Sequence, residues 1–326
     1  MSYSKENRIP LISIVIPVYN SLNIIDKCLE SLESQTSRNF EVIFIDDCSK
    51  GNNYEELKKK LNNYSFVYQI HQNIKNSGPG FTRNNGIKLS KGSYIVFIDS
   101  DDYVSSNFIE IIEKNIDEES PDVIIFDYYI EKNNKLNKTD GLPLKQGRIS
   151  KLDALALSKG ACWGKVYKKN IIIENSIEFP NLIRSEDLAF CKAFISKCDR
   201  IYYLKEYLYY YIENKQSIMH TMSTMNISNN IKAFEYIRKN TENNEAIEMI
   251  FIREYLYLIV QIMILKNNST KEIKKFISQC NNEYNKWYKN KYIKFQSTYM
   301  RLILILIRRR IILPIRIIFK LKNQEI

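Results

Sequence analysis

Short apolar runs and amphipathic stretches alternate along the first part of the chain. The runs are rich in Ile, Val and Phe, as expected of strands buried in a parallel sheet. Between the first two runs, apolar residues recur at helical spacing from Ile24 to Leu32. Strands that alternate with helices predict an α/β fold with helices on both faces of a sheet. The predicted strands are Leu11–Pro17, Phe40–Ile45, Ser65–Ile70, Tyr94–Ile98 and Asp122–Phe126.

The rest of the chain is first irregular and then helical. Helices are predicted at about Gly80–Leu89, Leu152–Ser158 and Glu186–Ser196, and throughout residues 223–290. The apolar segment Tyr255–Leu265 has eleven residues, which is too short to cross a bilayer.

Positive charge is concentrated near the end of the chain. The net charge is +11, but the residues from Lys266 onward hold fifteen Lys or Arg and three acidic residues, so residues 1–265 sum to about −1. The main part of the chain therefore lacks the basic excess typical of nucleic-acid-binding proteins.

Cysteine usage and the N-terminal segment predict a cytoplasmic protein. The six cysteines include no CxxC pair and there are two histidines, so no structural zinc site is expected. Scattered cysteines indicate a reducing compartment. No apolar stretch of the kind found in signal peptides precedes the first predicted strand.

Polar clusters follow three of the predicted strands. Ligands of open α/β sheets bind beyond the carboxyl ends of the strands, so we expect these clusters to meet at one edge. Five carboxylates would then lie together, and a divalent cation would offset their repulsion. The clusters are Pro17-Val18-Tyr19-Asn20, Asp46-Asp47-Cys48-Ser49 and Asp99-Ser100-Asp101-Asp102.

The last of these, the DSDD cluster of residues 99–102, supplies the oxygen ligands that Mg²⁺ and Mn²⁺ prefer. A metal there would neutralise charge on a departing diphosphate. The same four residues also suit a helix N-cap and a turn, since Asp and Ser favour both. The residue types alone leave the two interpretations open.

Four segments, in this order, resemble the signature series of family 2 glycosyltransferases, which have the GT-A fold. They are SIVIPVYN, FEVIFIDDCS, NSGPGFTRNNGI and KGSYIVFIDSDDY, within about residues 11–126. The resemblance continues more thinly through WGKVYKK and RSEDLAF to about residue 220. It implies a Rossmann-like mixed sheet and an enzyme of bacterial capsule, exopolysaccharide or lipooligosaccharide synthesis.

The resemblance implies a nucleotide-sugar donor site at the strand ends. Pro17 and Tyr19 would line the base and ribose, and Asp47 would hydrogen-bond the base, typically uracil. Asp99 and Asp101 match the DxD motif. Asp99 would face the ribose and Asp101 would bind the metal, which is expected to be Mn²⁺ or Mg²⁺.

Further residues of the same motifs join this site. Ser100 lies between the two DxD carboxylates and is grouped with the donor-binding residues. Asp102 is an added carboxylate that would support the metal or cap the next helix. Arg83 and Asn84 match the family's RN pair and would also bind the donor. The alternative for Arg83 is a charge on a helix surface.

An acceptor hydroxyl that attacks an anomeric carbon directly must lose its proton to a base, for which a carboxylate is suited. The pair Glu186-Asp187 resembles the family's ED motif, with Asp187 as the predicted base and Glu186 as the second choice. Both would also suit a helix N-terminus. Trp163 and Lys165 resemble a WxK segment and would contact the acceptor, although Trp163 suits a buried core position equally well.

Residues 299–322 combine basic and apolar side chains. Taken as one helix, with about 100° per residue, the segment places five cations within about a third of its circumference. Arg310 falls outside this sector, and Pro314 is expected to kink or end the first helix. The pattern predicts a segment that lies on an anionic membrane surface, and a terminal helix packed on the domain is the alternative. The five cations are Arg301, Arg308, Arg309, Arg316 and Lys320.

These patterns predict a GT-A domain at residues 1–220, a helical extension at 221–298 and a membrane-associating tail at 299–326. The predicted reaction is inverting, metal-dependent hexosyl transfer from a nucleotide diphosphate sugar, with a UDP-sugar as the expected donor. The acceptor would be a saccharide or lipid-linked saccharide at the inner face of the cell membrane.

Two other classes of protein remain as alternatives. Sugar nucleotidyltransferases share an α/β layout, but the first strand here runs into PVYNS without their glycine- and arginine-rich phosphate loop. A non-catalytic carbohydrate- or membrane-binding protein has little use for five clustered carboxylates. A dinucleotide oxidoreductase is not supported, because no GxGxxG follows the first strand.

Overall fold

The computed structural model describes residues 9–213 and 225–324. The chain divides into two units, Met1–Ile149 with Gly160–Ser217 and Ser150–Lys159 with Ile218–Ile326. We call the first the sheet unit and the second the helical unit. The domain boundary predicted at residue 220 lies outside the described residues.

A mixed sheet forms the centre of the sheet unit. Its strands are β1 Ile12–Val18, β2 Phe40–Asp46, β3 Val67–Gln72, β4 Tyr94–Phe97, β5 Tyr103–Val104, β6 Val123–Lys132, β7 Lys135–Lys138, β8 Gly147–Ile149, β9 Lys165–Lys168 and β10 Ile201–Ile212. Their order is β3-β2-β1-β4-β9-β6-β10-β5, with β7 beside β6 and β8 beside β10. The strands β1 to β4 are parallel to their neighbours within this group, whereas β9 is antiparallel to both β4 and β6.

The described helices begin and end as follows: α1 Asp26–Glu33, α2 Asn53–Leu61, α3 Pro79–Leu89, α4 Phe108–Glu119, α5 Lys151–Leu157, α6 Lys169–Glu174, α7 Glu186–Ser196, α8 Met225–Asn240, α9 Glu245–Ile250, α10 Leu258–Leu265, α11 Thr270–Glu283, α12 Thr298–Arg308 and α13 Ile312–Gln324. A π-helical segment, Phe251–Tyr257, joins α9 to α10. Short 3₁₀ turns at Trp287–Lys289 and Lys291–Phe295 precede α12.

Helices cover both faces of the sheet, as predicted. On one face, Ile14 of β1 belongs to an apolar cluster that includes Leu29 of α1 and Ile112 of α4. On the other face, α3 lies directly against Val15 of β1. Helix α7 is on that second face as well, where Phe190 packs edge-on against the ring of Phe97 at 5.8 Å between centroids. The core is therefore the three-layer arrangement that alternating strands and helices predict.

All five predicted strands are present, and the described residues form five more. The fifth predicted strand continues to Lys132, because β7 and β10 flank its second half. The short strand β9 was missed, since its four residues, KVYK, include two lysines. The aromatic run Tyr202–Tyr211 lies in β10, next to β6.

The tail of the helical unit differs from the expectation that Pro314 kinks or ends its first helix. Helix α12 ends at Arg308, and Arg310 adopts a left-handed conformation with a φ of 56°. The N–H groups of Arg310 and Ile311 then bond to the carbonyls of Ile307 and Leu306, which closes a helix C-terminus. The prediction that Pro314 breaks the helix was wrong, because Pro314 lies in the first turn of α13, where a proline is tolerated.

None of the helices in the described ranges combines the length and apolar character needed to cross a membrane.

Candidate active site

Three strand ends meet at one edge of the sheet. Strand β1 lies between β2 and β4 and is parallel to both. The polar residues that follow these strands therefore lie along the same edge, in agreement with the expectation from sequence.

The end of β1 presents an accessible rim. Pro17 is half-buried and Tyr19 is 43% exposed. The next residue, Asn20, is left-handed, with a φ of 52°. Its main-chain N–H donates to Ser49 Oγ at 2.8 Å, and its side-chain oxygen accepts from the N–H of Lys50 at 2.9 Å. These bonds fix the rim against the residues that follow β2.

Asp47 holds the loop that leads into α3. One carboxylate oxygen accepts from Asn73 Nδ2 at 2.8 Å and from the N–H of Ser77 at 3.0 Å, and the other accepts from the N–H of Gly78 at 2.8 Å. Gly78 has a φ of 86°, which favours glycine. Sequence analysis predicted that Asp47 binds the base. Its contacts make it an anchor for this loop, because N–H groups of the loop donate to both of its oxygens, and its contact with the base stays a prediction.

Arg83 of α3 joins the DSDD cluster to the start of α7. Its Nη2 donates to Asp99 Oδ1 and its Nη1 to Asp187 Oδ1, each at 2.7 Å. Nη1 also lies 3.5 Å from Glu186 Oε1. The residue is only 4% exposed and lies over the ring of Phe179. Arg83 is therefore a buried link between two motifs, not a charge on a helix surface.

The charges around Arg83 do not cancel. Burial opposes the positive charge of Arg83, but Asp187, Asp99 and Glu186 outweigh it and raise the pKa well above the ordinary value of arginine. The Nε atom is buried and has no hydrogen-bond partner within the described residues. Three carboxylates share one guanidinium, so the site keeps an excess of negative charge.

Glu186 and Asp187 open α7 in different surroundings. Ser185 before them is left-handed with a φ of 65°, a strained conformation that proteins often retain at functional sites. The side chain of Glu186 is 8% exposed and that of Asp187 is 23% exposed. Burial and the charge of Asp187 raise the pKa of Glu186 to about 7, although Arg83 opposes this. Asp187 Oδ2 accepts the N–H of Cys162 at 3.3 Å, so Asp187 is the more accessible and the more firmly oriented carboxylate.

Asp101 is the DSDD residue whose carboxylate pairs with no other described side chain. Asp99 is paired with Arg83, and the Ser100 hydroxyl donates to Ser21 Oγ at 2.8 Å. Within the described residues, the carboxylate of Asp101 pairs with no cation and with no donor except its own main chain. Burial and the charge of Asp99 raise the pKa of Asp101 to about 6. An added cation beside Asp101 would offset the repulsion from Asp99 and favour the charged carboxylate.

Asp102 is buried and bonded within the protein. Its carboxylate accepts from the Tyr209 hydroxyl at 2.6 Å and from the N–H of Ile212 at 2.8 Å. Burial, Asp99 and Asp101 raise its pKa well above the usual range. The metal role predicted for Asp102 is not supported by these contacts, since both oxygens face β10 and hold it to the DSDD cluster.

Comparison with known proteins identifies the family. The model of glycosyl transferase family 2 matches residues 13–174. The glycosyltransferase GlyG of Streptococcus pneumoniae is 30% identical over 229 residues, which are 65% of this chain and 73% of that protein. The chain belongs to glycosyl transferase family 2.

A second relative is longer than this chain. The poly(ribitol-phosphate) beta-glucosyltransferase of Bacillus spizizenii is 33% identical over 208 residues, which are 62% of this chain and 32% of that protein. The matched region thus amounts to about a third of the length of that relative.

Solved structures give the fold as GT-A. TarS 1–349 of Staphylococcus aureus, solved in complex with UDP-GlcNAc, has a TM-score of 0.71 at 21% identity and covers 96% of this chain and 92% of that one. The mannosyltransferase PcManGT of Pyrobaculum calidifontis, solved with GDP-Man and Mn²⁺, has a TM-score of 0.58 at 12% identity and covers 98% of this chain and 88% of that one.

The donor atoms of this family 2 member fit a divalent ion that is shared with a ligand. In the described part of the chain, no group of three or more His, Cys, Asp or Glu side chains is arranged to hold a metal alone. Asp101 nevertheless offers unpaired carboxylate oxygens, which are ligands that Mg²⁺ and Mn²⁺ accept, and these ions commonly complete their shells with substrate phosphates.

Asn84, the second residue of the RN pair, positions a neighbouring segment. Its side-chain amide donates to the carbonyl of Phe179 and accepts from the N–H of Phe179, each at 2.9 Å. At Gly80, on the same helix, a Cβ would lie 3.1 Å from Glu186 Cγ and 3.2 Å from Phe179 Cβ. The contacts of Asn84 give it a positioning role, and its contact with the donor stays a prediction.

The two residues predicted to bind the acceptor differ in accessibility. Trp163 is half-buried, and its ring stacks on Tyr209 at 4.9 Å and on Tyr211 at 5.3 Å. Lys165 is 3% exposed and its Nζ donates to the carbonyl of Ala161 at 2.7 Å. The acceptor role of Trp163 stays a prediction, whereas that of Lys165 is not supported, because its ammonium is inside the protein.

Sequence analysis missed Tyr209. Its hydroxyl donates to Asp102 and accepts the N–H of Asp99 at 3.2 Å, so it fixes the DSDD cluster to β10. It lies in the run YLYYY of residues 207–211, where neighbouring tyrosines look alike in sequence. The two-residue alternation of a strand separates Tyr209 from Tyr210 but not from Tyr207 or Tyr211, so sequence alone did not single it out.

Proposed function

We propose that this family 2 member transfers a hexose from a UDP-sugar to a saccharide or lipid-linked saccharide, with inversion at the anomeric carbon. The observation that carries the proposal is the pair of 2.7 Å bonds from Arg83 to Asp99 and Asp187. These bonds hold a carboxylate of the DxD motif close to a candidate base. The donor and the acceptor would then lie close together, next to carboxylates that bond to the same arginine. A direct displacement requires this proximity.

Asp187 is the proposed general base. It is the more exposed carboxylate of the pair, and its two oxygens are oriented by Arg83 and by the N–H of Cys162. Its carboxylate oxygens are of the kind that can accept a proton from an acceptor hydroxyl. Glu186 is the second candidate, because a carboxyl group with a pKa near 7 is also suited to proton transfer.

The donor site would lie at the strand ends. Pro17 and the exposed Tyr19 would line the base and ribose. Asp99 would face the ribose, and Ser100 would also bind the donor. Asp101 would hold Mn²⁺ or Mg²⁺ together with the diphosphate oxygens. When bound, such an ion supplies positive charge that offsets the charge on the departing diphosphate. The UDP-GlcNAc complex of TarS supports UDP as the nucleotide.

The proposed biological setting is the synthesis of surface polysaccharide. Two relatives, one from Bacillus spizizenii and TarS of Staphylococcus aureus, are a poly(ribitol-phosphate) beta-glucosyltransferase and a poly(ribitol-phosphate) beta-N-acetylglucosaminyltransferase. A beta linkage made from an alpha-linked UDP-sugar corresponds to inversion. Each relative matches this chain over about a third of its own length, so the acceptor of this chain is assigned only to the class of saccharides.

The test compares two isosteric variants, Asp187→Asn and Glu186→Gln. UDP release and glycoside formation are measured with a panel of UDP-sugars and Mn²⁺, and the anomeric configuration of the product by proton NMR. Asp187→Asn is expected to lower kcat about 100- to 10,000-fold, because an amide does not accept the proton. Glu186→Gln should keep most of the activity, and the product should be a β-glycoside.

If Glu186→Gln loses much more activity than Asp187→Asn does, Glu186 is the general base. Wild-type turnover in Asp187→Asn together with retention of the donor's configuration would refute the proposed mechanism. UDP binding to both variants serves as the control for an intact donor site.

A further inference from the structure

The last two helices expose an unusual concentration of apolar side chains. Seventeen large apolar side chains are exposed within the described residues, and six of them lie between Leu302 and Leu321. Single exposed apolar residues need no explanation, but a cluster of them marks an interaction site. The six are Leu302, Ile305, Ile311, Leu313, Ile317 and Leu321.

These side chains are exposed although the helices are packed. Ile303, Ile307, Ile315 and Phe319 are buried, and the Phe319 ring lies 5.7 Å from that of Tyr257 in the helical unit. Each helix therefore already uses one apolar face for its own unit. The exposed apolar residues form a second face that the described parts of this unit do not cover.

The second face of each helix is narrow and continuous. At about 100° per residue, Leu313, Ile317 and Leu321 lie on one side of α13, with Lys320 among them. By the same spacing, Leu302 and Ile305 share one side of α12 with two exposed arginines. Buried and exposed apolar residues thus occupy different sides of each helix.

The charge of this surface has one sign. No acidic residue occurs between Thr298 and Lys322. The arginine that the sequence pattern placed on the basic side, Arg316, is half-buried and donates to the carbonyl of Asn268, so it does not belong to the surface. The exposed cations are Arg301, Arg308, Arg309, Arg310 and Lys320.

We propose that α12 and α13 dock the protein on an anionic lipid bilayer. The exposed Leu and Ile side chains would enter the interface between headgroups and acyl chains, and the arginines and Lys320 would contact lipid phosphates. A second copy of the chain is disfavoured as the occupant, because the two surfaces would bring like charges together. For a protein inside the cell, as the sequence predicts, the bilayer is the inner face of the cell membrane.

The test is co-sedimentation of the full chain with vesicles of phosphatidylcholine alone or mixed with phosphatidylglycerol. The chain should sediment with the anionic vesicles and much less with the neutral ones. Two triple variants separate the contributions: Leu313→Gln, Ile317→Gln and Leu321→Gln remove apolar contact, and Arg301→Gln, Arg309→Gln and Arg310→Gln remove charge. All six side chains are exposed, so the fold should be kept.

The expected size of each effect follows from general magnitudes. One basic residue near an anionic surface is worth about fivefold in affinity, so the charge variant should bind about 100-fold more weakly. The apolar variant should bind both kinds of vesicle more weakly than the wild type does, by about 100-fold or more. A matched control replaces exposed apolar residues of the sheet unit, Ile24→Gln, Leu136→Gln and Ile173→Gln, and should sediment as the wild type does.

Three results would overturn the proposal. In the first, the wild type does not sediment with anionic vesicles. In the second, both tail variants bind vesicles as well as the wild type does. In the third, the wild type self-associates without binding vesicles, and the apolar variant no longer self-associates. UDP release in vesicle-free buffer, measured for every variant, keeps this test separate from the proposed glycosyl transfer. The tail variants should retain that activity.

Discussion

At the scale of single residues, charge balance around Arg83 governs the site. One guanidinium, 4% exposed, serves Asp99 and Asp187 through direct bonds and Glu186 at 3.5 Å. A buried ion network of this kind is costly to break, because removal of one partner leaves uncompensated charges behind.

Arg83→Gln is therefore expected to lower the free energy of unfolding by about 3–5 kcal/mol and to reduce transfer strongly. Arg83→Lys should recover part of the stability but little activity, since an ammonium does not replace the planar fork that reaches two carboxylates. Urea unfolding measures the first effect and UDP release the second. Lys88→Gln on the exposed side of α3 is the matched control. An unfolding midpoint for Arg83→Gln equal to that of the wild type would contradict the role of Arg83.

The raised pKa of Glu186 predicts a pH dependence of stability. The pKa is about 7 in the folded chain against an ordinary value of 4.5, so the folded state binds more protons between these pH values. The stabilising contribution of Glu186 is therefore fully present below pH 4.5, and it is lost as the pH rises through about 7. Glu186→Gln should remove this loss and exceed the wild type in unfolding free energy at pH 8 by about 1–3 kcal/mol.

Urea unfolding at pH 5 and pH 8 measures this difference. The exposed Glu174→Gln in α6 serves as the control and should follow the wild type at both pH values. If the difference between Glu186→Gln and the wild type is the same at both pH values, the environment assigned to Glu186 is wrong.

Sequence motifs located the residues of the site better than they assigned their partners. Asp99, Asp187 and Arg83 were all candidates, but the bond from Arg83 to Asp187 joins residues 104 positions apart, which no local pattern encodes. The family resemblance implied that Asp47 contacts the base, and Asp102 was expected to support the metal or to cap the next helix. The structure engages them with N–H groups and a tyrosine hydroxyl, donors that depend on the path of loops and of β10.

At the scale of elements, close packing of α3 on β1 places the site. Gly86 of α3 lies so near Val15 that a Cβ at position 86 would overlap its side chain. This close approach holds α3, and with it Arg83, against β1 of the sheet.

Gly86→Ala is expected to lower the free energy of unfolding by about 1–3 kcal/mol, because overpacking displaces the helix. Activity should fall as well, since Arg83 moves with α3. Adding Val15→Ala makes room for the new methyl group and should restore part of the loss, so the two effects should not add. Chemical denaturation of the two single variants and the double variant measures the coupling. Additive losses would show that the helix does not rest on Val15.

The long, periodic elements of the sheet unit were predictable, and the short ones were not. Strand β1 consists of a near-continuous apolar run, and α7 was predicted at its observed bounds. By contrast, β5 and β9 have two and four residues, and each is stabilised by a strand from a distant part of the sequence. Their pairing depends on the completed sheet, so local sequence contains little sign of it.

At the scale of the whole molecule, chemistry and surface charge belong to different units. The site residues lie in the sheet unit, whereas the basic residues from Lys266 onward lie in the helical unit. Composition predicted where the positive charge lies, because residues 1–265 are nearly neutral and the remainder carries the net positive charge. It did not predict which arginines are exposed, since that depends on the break between α12 and α13.

The central claim is that Asp101 and the strand ends around it bind a nucleotide diphosphate together with a divalent ion. Isothermal titration of UDP into the protein, with and without Mn²⁺, tests it most directly in the wild type and in Asp101→Ala. The account predicts UDP binding that Mn²⁺ strengthens at least about tenfold in the wild type and does not strengthen in Asp101→Ala. UDP binding that is absent, or that is equally strong with and without Mn²⁺ in both proteins, would contradict it.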